Sequence, residues 1–394
     1  MFSVRRVSYA PGQLNGIAGM ADQPGNSQSA ASVSSATGLS AVTGLSALTG
    51  PEGRELYGTP ELAIVLSNFD LGVIRRIVPF NRGSRKAPKV VLETDTGRYL
   101  LKRRAKGKDD PYKVALAHTL QLFLVSRQFP LPHLIGTRRD NNSMLQLFDC
   151  IYEIFEYISG QPYDGNLDAT FDAGRVLGLY HKLLLEFQSP YTPASGSYHA
   201  SPQVSAALAV VPKQIDKGQV DGEQAGALLN FISQSYARAG QAARAAGMDT
   251  WPMQIVHADW HPGNMLFLNN RVVAVIDYDS TRIQQRVTDL ANGALQFSIL
   301  GGADDPANWP DYLDETRFKR FIRGYEAATP ISEGEIIAIP HLMIEALIAE
   351  AALPVAATGS FGRINGYLFL NTVARKVRWI QSHADHLMTA IRGG

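Results

Sequence analysis

Apolar positions come in short strand-like runs through the first third of the chain, and then settle into helical spacing. Val73-Ile74-Arg75-Arg76-Ile77-Val78-Pro79-Phe80 reads as a strand. Two further strands, 90–94 and 98–102, are joined by Asp95-Thr96-Gly97, a hairpin signal because Asp and Gly accept turn geometry. Before them lies Asn81-Arg82-Gly83-Ser84-Arg85-Lys86, turn-like, and before that a short apolar segment from Glu61 to Asp70. Residues 111–128 set Val114, Ala117, Leu120, Leu124 and Val125 on one helical stripe. Cys150 to Gly160 is again strand-like and breaks at the Gly. From there on helices dominate: 171–187 with an apolar face, an Ala- and Gln-rich stretch over 206–248, then 289–300, 316–328, 333–350 and 366–390. The pattern predicts an α+β protein with its sheet at the amino-terminal side.

Residues 1–54 break the pattern. Ser, Ala, Gly and Thr dominate there, and Thr37-Gly38-Leu39-Ser40-Ala41-Val42 is echoed by Thr43-Gly44-Leu45-Ser46-Ala47-Leu48. Such a segment buries too little apolar surface to offset its ordering entropy, so a disordered low-complexity tail is expected. The remainder divides into a strand-rich part, 55–158, and a helical part, 159–394.

Composition narrows the classes. The net charge of +1 over 394 residues gives no general attraction to nucleic acid or acidic membrane. Charge is uneven, however: residues 75–113 hold 13 Lys or Arg against 4 Asp or Glu. A basic small part suits a bound triphosphate, and a solvated basic face explains it equally well. The single Cys150 rules out an intramolecular disulfide and fits a reducing, cytoplasmic setting. No window approaches 18 apolar residues, so no membrane helix is expected.

Chemistry concentrates in Val256-His257-Ala258-Asp259-Trp260-His261-Pro262-Gly263-Asn264 and, after a strand-like run 271–276, Asp277-Tyr278-Asp279. Asn264 follows Asp259 by 5 positions, and Asp277 follows Asn264 by 13. Phosphoryl transfer needs such a set: one carboxylate to orient a hydroxyl, with an amide oxygen and a second carboxylate to hold Mg²⁺ on the phosphates. The His257/His261 spacing suits zinc, but no Glu follows His257 and Pro262 breaks a helix.

This run resembles the catalytic segment of the kinase-like phosphotransferases, which include aminoglycoside phosphotransferases, choline kinase, type II homoserine kinases and stress response kinase A. The resemblance covers roughly residues 75–300. It implies a bilobal protein-kinase-like fold, with a small β-rich amino-terminal lobe and a larger helical carboxy-terminal lobe. It makes Asp259 the catalytic base, Asn264 and Asp277 the Mg²⁺ ligands, His257 a brace, and Asp289 the group tying the loop to the next helix. Lys102, ending its strand, would meet the ATP phosphates, with Gly83 and Ser84 in the phosphate loop. The Glu156 carbonyl and the Ile158 N–H would meet adenine. The family's helix usually supplies a Glu to its phosphate lysine. Residues 111–128 contain none, so either His118 fills the role, or another element does, or Lys102 is less constrained. Strand alternation sends Arg103 outward.

Only about ten residues separate Asp279 from Asp289, too few for the peptide platform of a protein kinase. A small-molecule hydroxyl acceptor is therefore expected. A protein Ser/Thr kinase of the stress-response type and a nucleotide-binding pseudokinase are the alternatives. Residues 331–394 balance acidic against basic groups, unlike a polycation site. The Gly-containing segment 358–366 is expected at the acceptor mouth.

Overall fold

The computed structural model describes residues 6–7, 48–50, 53–215, 222–301 and 305–393. They form two compact units: one holds the described residues up to Gln128 with Pro132–Tyr157, the other Phe129–Leu131 with Ile158 onward.

In the first unit β1 (Leu48–Thr49) pairs antiparallel with β2 (Glu55–Leu56), and α1 (Thr59–Leu66) follows. The apolar segment near Glu61 is thus a helix. Pro60 sits in its first turn, where no amide is needed, and the Glu61 carboxylate accepts the Gly58 N–H at 3.1 Å. Next come β3 (Ile74–Pro79), β4 (Lys89–Thr94), β5 (Arg98–Arg103), α2 (Pro111–Ser126), β6 (Leu145–Leu147) and β7 (Cys150–Glu156). These five strands make one antiparallel sheet in the order β3-β4-β5-β7-β6. Val90, Leu92, Tyr99, Leu101, Tyr152 and Ile154 pack on one face against Val65, Phe69 and Leu71.

That covered face corrects the expectation for Arg103. It does lie opposite Lys102, but α1 and β2 close over it, leaving it 6% exposed and bonded to Glu61 at 2.6 Å and Glu55 at 2.9 Å. Arg104, also 6% exposed, bonds Glu153 at 2.8 Å. Part of the basic excess is therefore buried ion pairing and not a solvated face.

The tail expected over 1–54 falls mostly outside the described residues. Those described belong to the first unit: Arg6 bridges to Ile135 and pairs with Glu156 at 3.0 Å. Arg54 donates to the carbonyls of Asn81, Gly83 and Ser84.

The second unit contains α3 (Leu167–Leu184), β8 (Ala194–Ser195), α4 (Pro202–Gln214), α5 (Gly222–Ala245), β9 (Met253–Val256), β10 (Met265–Leu268), β11 (Arg271–Val275), β12 (Arg282–Gln285) and α6 (Val287–Ser298). After these come α7 (Glu315–Glu326), α8 (Glu333–Thr358), the small hairpin β13 (Ser360–Phe361) with β14 (Ile364–Asn365), and α9 (Gly366–Arg392). β12 lies between β9 and β8, and β10–β11 is a hairpin whose turn residues Asn269 and Asn270 take positive φ of 50° and 61°. The chain at Phe129–Leu131 belongs here because the Val275 N–H donates to the Pro130 carbonyl at 2.9 Å.

α8 overturns the reading that no segment is apolar enough for a membrane. It is 26 residues long with a mean hydropathy of 1.8 over 18 of them, which suffices by length and composition. Most of that window is buried against α4, α5, α6 and α9, as expected for a helix that is apolar all round and packed as a core element. Single polar residues such as His341, Glu345 and Glu350 had broken up the apolar run in the sequence. The segment 358–366 is the α8–α9 connection, where Phe361 stacks on Phe369 at 3.9 Å.

Candidate active site

The loop after β9 is held by one carboxylate. Asp289, in the first turn of α6 and 1% exposed, accepts the N–H of His257 at 2.7 Å and that of Ala258 at 2.8 Å. Ala258 adopts φ 60°, a left-handed conformation costing a non-glycine residue about 1–2 kcal/mol. The two bonds from Asp289 hold it there and so fix the direction in which the next residue, Asp259, leaves. His181 on α3, a core histidine, backs Asp289 at 3.4 Å and Tyr325 at 2.8 Å. The His257 ring is wholly buried among Tyr180, Trp260 and Tyr278. Burial drives its pKa down, which favours the neutral ring.

Asp259, Asn264 and His261 form one cluster. The Asn264 side-chain Nδ2 donates to the Asp259 carboxylate at 2.7 Å and to its backbone carbonyl at 3.0 Å. Both hydrogens of that amide are thereby spent, and its oxygen is left as an acceptor. His261 Nε2 stands 3.5 Å from the other Asp259 oxygen, while its Nδ1 accepts the Gly263 N–H at 3.0 Å. Burial alone would raise Asp259, but the His261 bond and charge and the Asn264 amide outweigh it and hold the carboxyl below its usual range. Burial opposes protonation of His261, and Asp259 reverses that, raising it.

The hairpin brings the second carboxylate alongside. Met265 pairs with Val275, and the Ile276 N–H donates to the Asn264 carbonyl at 3.0 Å, so the chain enters Asp277 beside Asn264. Asp277 takes φ 65° and presents an exposed carboxylate. One amide oxygen and one carboxylate are hard donors that leave most of a coordination sphere to water or phosphate, which fits Mg²⁺.

A group not singled out in the sequence adjoins this cluster. Glu350 on α8 accepts from Gln296 of α6 at 2.7 Å. Crowding by protein pushes its carboxyl up to about 7, with His261 lowering it and Asp259 raising it. The side chain keeps solvent contact, which tempers that push.

In the first unit, Gly83 and Ser84 lie in the β3–β4 loop, Gly83 at φ 76° and exposed. Arg54 gathers that loop's carbonyls, a support that the low-complexity appearance of the preceding residues concealed. Glu156 ends β7, with its N–H bonded to the His133 carbonyl at 2.8 Å. Ile158 opens the second unit. Lys102 is paired directly across the sheet with Glu153 of β7, Nζ to Oε2 3.7 Å. The partner missing from the helix thus comes from the neighbouring strand. Its signal was a Glu inside the apolar run Ile151-Tyr152-Glu153-Ile154-Phe155, since a buried charge must be paired.

A sequence search of the curated proteins finds no match. Solved structures share the fold at low identity. An aminoglycoside phosphotransferase from Alicyclobacillus acidocaldarius is 15% identical with a TM-score of 0.59, covering 84% of this chain and 96% of its own. Amicoumacin kinase hAmiN, solved in complex with AMP-PNP, Ca²⁺ and Ami, is 11% identical with a TM-score of 0.58, covering 84% and 94%. A choline kinase from Cryptosporidium parvum is 15% identical with a TM-score of 0.55, covering 81% and 92%. A family model described as "Phosphotransferase enzyme family" matches residues 76–331, which include Lys102, Asp259, Asn264 and Asp277. The chain is a member of that phosphotransferase family, with its α+β kinase-like fold.

Proposed function

We propose that the protein transfers the γ-phosphoryl group of ATP to a hydroxyl of a small molecule. The observation that carries this reading is the Asp259–Asn264 pair. A single amide donates to both the carboxylate and the backbone carbonyl of Asp259, which leaves its own oxygen free to accept. The acceptor oxygen attacks the γ-phosphorus, and the bond from that phosphorus to the β-bridging oxygen breaks. ADP leaves with the electron pair, and the hydroxyl proton passes to Asp259. A carboxylate of lowered basicity suits this task, because in a loose transition state it orients the hydroxyl more than it deprotonates it. Asn264 and Asp277 would hold Mg²⁺, which neutralises phosphate charge. Lys102 would meet the phosphates, with Gly83 and Ser84 in the loop beside them and Glu156 and Ile158 at the adenine.

A small acceptor is favoured because the chain between Asp279 and Asp289 is taken up by β12, paired on both edges, and by the start of α6. No length remains there for a peptide-binding platform. ADP release with Mg-ATP, screened over amino acids, amino alcohols, sugars and aminoglycosides, tests the reading. Turnover dependent on one of these compounds is expected. Phosphate transfer to added protein substrates and to none of the small molecules would overturn it.

A further inference from the structure

We infer that Glu153 is the positioning residue for Lys102, taking from strand β7 the place that a helix carboxylate would otherwise fill. The inference rests on the reading above that Lys102 meets the phosphates of ATP. Glu153 lies opposite Lys102 in the antiparallel register, the closest placement two side chains on one sheet face can have. Its side chain is completely buried, while that of Lys102 keeps 21% exposure and so reaches the surface of the unit.

The two carboxylate oxygens are used differently. Oε1 takes the Arg104 guanidinium at 2.8 Å and His118 Nε2 at 2.6 Å. His118 is itself fixed by Ser143 Oγ at 2.8 Å on its other nitrogen. Oε2 has no hydrogen-bond partner among the described residues and stands 3.7 Å from Lys102 Nζ. A buried carboxylate oxygen left without a bond is costly, so it attracts the Lys102 cation facing it. His118 and Arg104 hold one oxygen of the carboxylate, and the other oxygen faces the Lys102 cation.

A charge-neutralising role alone would predict something else. Arg104 already bonds Oε1 through Nη2, and nothing in that pairing requires Oε2 to face Lys102. His118 occupies the helix position where a partner carboxylate was sought, and it acts one step back, on Glu153. The lysine is thus set by sheet register instead of by the placement of α2.

The test uses the full-length protein with Mg-AMP-PNP as probe and three variants. Lys102→Met should weaken nucleotide binding in calorimetry by about tenfold or more, the scale of one charge-assisted contact. Glu153→Gln should weaken it comparably, and Lys102→Met/Glu153→Gln should be no weaker than Lys102→Met alone, because the two groups act as one. Acetylation of Lys102 by acetic anhydride, read by peptide mass spectrometry, should be faster in Glu153→Gln than in wild type. If Glu153→Gln does not fold, Glu153→Asp keeps the charge, retracts the carboxylate by one methylene and should show the same direction in both readouts. Wild-type affinity and unchanged Lys102 acetylation in a folded Glu153 variant would overturn the inference, while a weakened Lys102→Met leaves the reading of Lys102 intact. If Lys102→Met binds nucleotide normally, the reading of Lys102 is wrong. Faster acetylation in the Glu153 variant then still establishes that Glu153 holds it, and an unchanged rate refutes that too.

Discussion

Asp289→Ala isolates the device that aims the catalytic loop. The substitution removes two backbone hydrogen bonds of 2.7 and 2.8 Å, and the weaker 3.4 Å contact to His181, from a carboxylate that is 1% exposed. Bonds to a charged group contribute about 1.5–3 kcal/mol each, a gross loss of about 3–6 kcal/mol. Two effects offset part of this. The buried charge disappears, and Ala258 is free to leave φ 60°, which returns about 1–2 kcal/mol. A net local loss of about 3 kcal/mol remains. The protein has two units, so a single unfolding midpoint would mix their transitions. Amide hydrogen exchange at His257 and Ala258 reads the loop directly, and about 3 kcal/mol corresponds to a fall in protection of about 10²-fold. Activity should fall at the same time by roughly 10²-fold, the scale for misplacing a reacting group by about 1 Å. Asp289→Asn, which keeps one acceptor oxygen, should lie between wild type and Asp289→Ala in both measurements. Protection unchanged within threefold in Asp289→Ala would refute the claim that this carboxylate sets the loop.

Two further outcomes follow from the same geometry. Asp277→Ala should abolish the enhancement of ATP binding by Mg²⁺ measured by calorimetry, whereas equal affinity with and without Mg²⁺ in wild type would remove Asp277 and Asn264 from the metal site. Glu350→Gln should lower the titration midpoint of His261 followed by NMR. The negative charges of Asp259, Glu350 and Asp277 all favour the His261 cation, so removing one lets the proton leave at lower pH. An unchanged or raised midpoint would show that Glu350 does not act on His261.

The clustering of the candidate residues was legible because the parts are local. Asp259, Asn264 and Asp277 sit on one loop and one hairpin, and Asn269-Asn270 supplies a turn that fixes the register between them. The surroundings of Lys102 were only half legible. Alternation along 98–103 put Lys102 and Arg103 on opposite faces, but what covers each face is decided by distant residues. α1 buries Arg103 through Glu61, 42 residues away, and β7 supplies Glu153, 51 positions beyond Lys102. Neither partnership has a local signature beyond a charged residue in an apolar neighbourhood. Glu350 escaped notice for a similar reason: on α8 it looks like one acid in a balanced helix, and only the packing of α6 and α8 sets it near His261. Residues 61–66 carry no legible period because they span less than two helical turns. The Pro60 and Glu61 of the first turn were the available sign of a helix.

The central claim is that Asp259 orients an acceptor hydroxyl for transfer from ATP. The most direct measurement follows the γ-phosphate of labelled ATP into the acceptor found by the ADP-release screen, comparing wild type with Asp259→Asn. The account predicts label in a phosphate ester of the acceptor with wild type. It predicts transfer slower by about 10²-fold or more in the variant, with nucleotide affinity retained. Transfer at near wild-type rate by Asp259→Asn would contradict it.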